Sequence, residues 1–151
     1  MLKRRINQIY DPVITVDIAA TKVKRLVYLL VANRPIKYGK DYSRIVYVGT
    51  TGHGIRRIAY SASKHIVGAN RKLKGIRRLD AHVIWAKSKA GPQTKRKMKF
   101  WSVLERAVLL RFRERYGSKP LLKGTGQRIK EKLEFDLYRK KTIDRIINRY
   151  T

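Results

Sequence analysis

Apolar residues in this chain come in runs, and the runs differ in period. Leu26-Val27-Tyr28-Leu29-Leu30-Val31-Ala32 is unbroken and rich in strand formers. Its length suits a buried strand. Asn33 to Ser43 then carries Asn-Arg-Pro and Tyr-Gly, which favour turns, and reads as a loop. Arg44-Ile45-Val46-Tyr47-Val48 is a second strand, ended by Gly49. Two strands this close in sequence pair antiparallel in the simplest arrangement. Ala81 to Ala86 reads as a third strand.

Elsewhere the period is helical. After the polar turn Thr50-Thr51-Gly52-His53-Gly54, a helix is expected from Ile55 to about Val67, with Gly68 near its end. Arg71 to Arg78 reads as a basic loop or half-helix, and Ser88 to Lys99, with Gly91-Pro92, as a loop. The strongest helical pattern runs from Lys99 to Tyr116. Trp101, Leu104, Val108 and Phe112 recur at helical spacing, Gly117 ends the run, and Pro120 follows. A further amphipathic helix is expected from about Arg128 to Tyr150. Near the start, Asp17 is placed to cap a short helix at Ile18-Ala19-Ala20. This order predicts an α+β fold: a small three-stranded, mostly antiparallel sheet flanked by helices, with an additional C-terminal helix. The expected division is a basic arm over 1–21, a core over 22–124, and a helical extension over 125–151 packing on that core.

Composition narrows the partners. Of 151 residues, 38 are Lys or Arg and 10 are Asp or Glu, a formal net charge of +28. Such an excess repels itself unless counter-charges neutralise it, and phosphate polymers are the commonest neutraliser. Between Asp41 and Glu105 the only acid is Asp80, so the middle of the chain is the expected phosphate-facing surface. A small neutral metabolite as sole partner is a poor match. The absence of cysteine removes disulfides, thiolate catalysis and every Cys-based metal site. No apolar run is long enough to span a bilayer, and the opening MLKRRINQIYD lacks the apolar stretch of a secretory signal. The expected location is the cytoplasm, or wherever nucleic acid is found, without membrane association. The oligomeric state stays open.

One constellation stands out by its order. A Tyr lies in the first strand, Tyr47-Val48-Gly49 closes the second, Arg57 follows ten residues after Tyr47, and Glu105 lies within a later helix. This resembles the GIY-YIG nuclease family over about residues 25 to 124. Leu26-Val27-Tyr28 matches the first half of the motif and Tyr47-Val48-Gly49 the second. Arg57 sits where the family's helix arginine is expected, and Glu105 matches its metal-binding glutamate. Leu26 replaces the first motif's glycine. Tyr28 and Tyr47 are 19 positions apart, which implies an inserted loop at 33–43. Lys123 stands near the place of an asparagine that the family often carries. The resemblance implies a phosphodiester hydrolase.

The residues themselves can supply such chemistry. Hydrolysis needs a deprotonated water and charge stabilisation at the scissile phosphate. Tyr47 is the expected activator of water, with Tyr28 orienting it. A phenol is a poor base at its ordinary pKa of about 10, but surrounding positive charge favours phenolate. Arg57 can grip a phosphate oxygen bidentately. Glu105 offers one hard oxygen to Mg²⁺ or Mn²⁺, a fit to a one-metal site. Glu105 also shares a helix face with Trp101, Val108 and Phe112, where a charge is costly unless paired. A core-edge ion pair is therefore the alternative role for it. His65, two helical turns beyond Arg57, is a candidate for proton transfer.

The expected nucleic-acid contacts are Arg56, His53, Tyr60, Arg71, Lys72, Lys74, Arg77, Arg78, Lys95, Arg96, Lys97 and Lys123. The first functional expectation is a metal-dependent endonuclease acting on DNA rather than RNA. The alternative, which composition alone favours, is a non-catalytic basic nucleic-acid-binding protein of the ribosome-associated or packaging type. Lys123 in place of the asparagine and Leu26 in place of the glycine support that alternative.

Overall fold

The computed structural model describes residues 5–86, 99–123 and 134–151. Its centre is a three-stranded antiparallel sheet built from β1 (Leu26–Tyr38), β2 (Asp41–Thr51) and β3 (Leu79–Ile84), in the order β2-β1-β3. Helices α1 (Ile18–Thr21), α2 (Ile55–Lys72), α3 (Phe100–Tyr116), α4 (Glu134–Leu137) and α5 (Lys140–Asn148) accompany it. The fold is α+β, as the pattern of elements predicts, with helical structure at the C-terminal end.

Leu26 to Ala32 are all buried, which explains the unbroken apolar run. This part of β1 pairs with β2 on one side and β3 on the other. Both of its faces are covered as well: α3 packs against β1 and β2, and Tyr28 reaches Ser61 on α2. A strand with no exposed face needs no alternation.

The loop expected over 33–43 does not exist. β1 continues to Tyr38, turns tightly through Gly39 and Lys40, and returns as β2 from Asp41. Gly39 has φ 58°, the left-handed conformation that a two-residue hairpin turn needs and that glycine adopts without strain. The turn-like residues Asn33, Arg34 and Pro35 lie where the β1–β2 register shifts, between Val31 and Ile36. Such irregular positions tolerate proline's missing N–H. Asn33 and Arg34 instead hold the connection after α2. Asn33 Oδ1 accepts the Arg77 and Arg78 N–H groups at 3.1 and 3.4 Å, and Arg34 donates to the Lys74 carbonyl at 2.7 Å.

Other boundaries move. α2 extends to Lys72, so Gly68 lies inside the helix and Arg71 and Lys72 form its last turn. The left-handed glycine after α2 is Gly75, at φ 95°. β3 begins at Leu79, two residues before the expected start, and ends at Ile84. α3 runs as expected, and Gly117 caps it with φ 73°. The long helix expected over 128–150 is broken. Residues 128–133 lie outside the described residues, and α4 and α5 are separated at Tyr138 and Arg139. Two anchors account for the break. Glu134 is buried and pairs with Arg106 at 2.6 Å, and the Tyr138 hydroxyl donates to the Phe100 carbonyl at 3.0 Å. The chain must turn after them for α5 to bury Ile143 and Ile147 in the core. At the other end, Asp17 accepts the Ala19 N–H at 2.7 Å and caps α1. Among the described residues no helix is long and apolar enough to cross a membrane.

Candidate active site

The open end of the β1–β2 hairpin gathers four of the five residues nominated for catalysis, Tyr28, Tyr47, His65 and Glu105. Tyr28 and Gly49 face each other as cross-strand partners. A Cβ on Gly49 would lie 2.6 Å from the Tyr47 ring and 2.8 Å from the Tyr28 ring and hydroxyl. Only glycine leaves room for both tyrosines, whose ring centroids are 5.8 Å apart. The Tyr-Val-Gly sequence is therefore a packing requirement: the glycine is the floor on which the two phenols meet.

α2 supplies the next layer. The Tyr28 hydroxyl is buried and donates to Ser61 Oγ at 2.9 Å. His65, one helical turn on from Ser61, stacks against Tyr47 with centroids 4.1 Å apart. Ser61 was not anticipated. A serine among apolar helix positions carries no distinctive sequence signal, and its role follows only from the strand that faces it.

Glu105 of α3 and Lys123, in the segment after α3, complete the cluster. Their side chains form an ion pair, and Lys123 Nζ also donates to the Val48 carbonyl at 3.1 Å. The ammonium lies 5.5 Å from the centre of the Tyr47 ring. Glu105 thus has the pairing that its place on an apolar helix face demands, with Lys123 as the partner. Lys123, expected as a phosphate contact, is part of this cluster and half-buried in it.

Charge states follow from burial. The Tyr47 hydroxyl is held well above its ordinary range, first by burial, then by Tyr28 and by the negative charge of Glu105. The Arg57 charge opposes these effects without reversing them. The expectation that local positive charge favours a Tyr47 phenolate is therefore corrected. Tyr47 keeps its proton at neutral pH, because burial disfavours the charged form more than one exposed arginine favours it. His65 is shifted the other way. Burial, followed by Lys64 and Lys123, lowers its pKa below 6.5, so its imidazole is neutral at pH 7.

A divalent cation needs several hard oxygens. Among the described residues no three His, Cys, Asp or Glu side chains come together. Glu105 already holds the Lys123 ammonium, and a Mg²⁺ or Mn²⁺ ion placed on it would sit against a positive charge. As folded, this donor set does not fit a resident divalent ion.

The remaining candidates lie outside the cluster. Arg57 is exposed on the first turn of α2, with its guanidinium 5.4 Å from the centre of the exposed Tyr60 ring. Arg56 and His53 are exposed nearby, and the His53 N–H donates to Thr51 Oγ1 at 2.9 Å. Arg71, Lys74 and Arg77 are exposed at the far end of α2 and in the connection beyond it. Two of this basic group have partners: Lys72 donates to the Leu121 carbonyl at 3.1 Å, and Arg78 pairs with Asp80 at 3.4 Å. Lys95, Arg96 and Lys97 lie outside the described residues. No protein-family model, no curated protein and no solved structure matches the chain.

Proposed function

We propose that the protein is an endonuclease that hydrolyses DNA phosphodiester bonds at the Tyr47 cluster. One observation carries this reading. β1, β2, α2, α3 and the segment after α3 each deliver a chemistry-bearing side chain to one place, near enough to the exposed Arg57 for its charge to act on Tyr47. Packing alone does not require a second phenol, an imidazole and a carboxylate-paired ammonium to gather around Tyr47.

In this reading Arg57 grips a non-bridging phosphate oxygen, a task suited to a planar guanidinium that stays charged. His65, neutral at pH 7, accepts a proton from the attacking water. Tyr47 keeps its proton and uses its hydroxyl to orient that water or to donate to a phosphoryl oxygen. Tyr28, fixed by Ser61, holds Tyr47 in place. The exposed bases at both ends of α2 track the backbone, which positions a duplex without reading its sequence.

A second reading has a specific observation in its favour. The Glu105–Lys123 pair leaves the cluster's carboxylate neutralised, as suits a protein that binds nucleic acid without cutting it. Supercoiled plasmid separates the two, incubated with the protein in Mg²⁺, in Mn²⁺ and in EDTA. Nicked or linear product that disappears with Tyr47→Phe is the expected result. Plasmid that is bound but intact in all three conditions gives the binding protein.

A further inference from the structure

Lys123 is built into the cluster with more care than a surface charge. The Leu122 N–H donates to the Val46 carbonyl at 2.9 Å, and the Leu121 N–H donates to the Tyr38 hydroxyl at 3.1 Å. These bonds dock the segment onto the hairpin, and Lys72 secures it from α2. The Lys123 side chain is then fixed at its tip by Glu105 and the Val48 carbonyl, over the Tyr47 ring. An ammonium has three N–H donors. Among the described residues Glu105 and Val48 take two, leaving one for a further acceptor. The pair is not sealed: the side chains of Lys123 and Glu105 keep 21% and 13% of their exposure.

We propose that Lys123 is the resident cation of this centre: its ammonium takes the position on Glu105 that a divalent metal would need, so that phosphodiester cleavage proceeds without one. The proposal rests on the nuclease reading. A fixed positive charge with a free donor stabilises the negative charge that builds on the phosphoryl oxygens, and because it is already in place it costs no reorganisation. Glu105 is then a positioning residue, holding the ammonium beside Tyr47. In the step itself, the oxygen of water bonds to phosphorus as the P–O ester bond breaks. One proton of the water goes to His65 and from there to solvent, and the departing oxygen takes a proton from solvent. Lys123 contributes charge and a hydrogen bond, and no proton leaves it.

The test uses the full chain and has two readouts. In plasmid cleavage, the wild type should cut in EDTA at a rate within about threefold of that in Mg²⁺. Lys123→Ala should lose on the order of 10²-fold in EDTA, the scale of removing one preorganised donor. Mg²⁺ or Mn²⁺ should restore much of that loss through the freed carboxylate. Lys123→Gln, closer in shape, serves if Lys123→Ala does not fold. In calorimetric titration with Mn²⁺ alone, Lys123→Ala should bind at least about tenfold more tightly than the wild type, the effect of removing one opposed charge. Adding Glu105→Gln should abolish that gain. A wild type that cuts only with added metal overturns the inference and leaves the nuclease reading standing. A wild type that cuts in no condition overturns the nuclease reading and the catalytic role with it. Unchanged Mn²⁺ affinity in Lys123→Ala shows that the lysine does not hold a cation's position, whatever the cleavage result.

Discussion

Tyrosines cluster at both ends of the β1–β2 hairpin, and the two clusters do different work. At the turn end, Tyr38 packs edge-on against Phe112 with centroids 5.1 Å apart, and Phe112 packs against Tyr116 at 4.4 Å. The Tyr38 hydroxyl donates to the Ile45 carbonyl at 2.9 Å and accepts the Leu121 N–H at 3.1 Å. At the open end, Tyr28 and Tyr47 meet over Gly49, beside Ser61, His65, Lys123 and Glu105. Burial raises the phenol pKa at both ends, to about 12 at Tyr38 and further at Tyr47. A shifted tyrosine is therefore no mark of function by itself. The difference lies in the neighbours. Backbone groups satisfy Tyr38 and cannot titrate, whereas Tyr47 lies among a base, an ammonium and a carboxylate.

Substitutions can break this contrast, and the largest effects should come first. Phe112 is fully buried between Tyr38 and Tyr116. Phe112→Ala should cost about 3–5 kcal/mol of stability in urea unfolding. Tyr38→Phe should cost about 1–3 kcal/mol, because it strands the Ile45 carbonyl and the Leu121 N–H. At the open end the pattern should invert. Tyr47→Phe should change stability by about 1 kcal/mol or less, while cleavage falls by roughly 10²- to 10⁴-fold. If Tyr38→Phe silenced cleavage without destabilising the fold, the division between the two ends would fail.

Acidity sharpens the contrast. His65 and His82 both have folded pKa values below the ordinary 6.5, burial being the first cause at each. At His82, Arg44 and Arg149 lower it further and Asp80 raises it. The unfolded chain therefore binds more protons as the pH falls through about 6.5, and folding loses stability on that side. The urea midpoint should drop between pH 7.5 and 5.5. His65→Gln and His82→Gln should each reduce that drop. Only His65→Gln should also change the pH profile of cleavage, since His82 stacks on Tyr150 rather than on Tyr47.

The smallest effect concerns the surface beyond both clusters. Replacing Arg71, Lys74, Arg77 and Arg78 together by Ala, and leaving Lys72 to hold the segment after α3, should lower the salt dependence of DNA binding by a few units of slope, at about 0.9 per phosphate contact. Cleavage at low salt should change little. An unchanged slope removes this face from the interface.

Much of the architecture could be read from residue order, because it rests on local rules. Leu26 to Ala32 has the length and residue types of a buried strand, α3 carries its own helical period and its glycine cap, and Asp17 announces α1. The errors fall where distant groups overrule local propensity. Asn33-Arg34-Pro35 reads as a loop, yet its polar groups are recruited to hold the chain after α2, some 40 residues away in sequence. The break between α4 and α5 answers to Arg106 and Phe100, on another helix. The charge of +28, the missing cysteine and the spacing of Tyr28, Tyr47, Arg57 and Glu105 are properties of the sequence alone, and they were enough to nominate the residues. Their states were not. Whether Tyr47 ionises and what holds Glu105 depend on burial and on charges from four separate elements. Both are set by distances in space, and only the folded chain, by bringing Lys123 against Glu105 and over the Tyr47 ring, decides them.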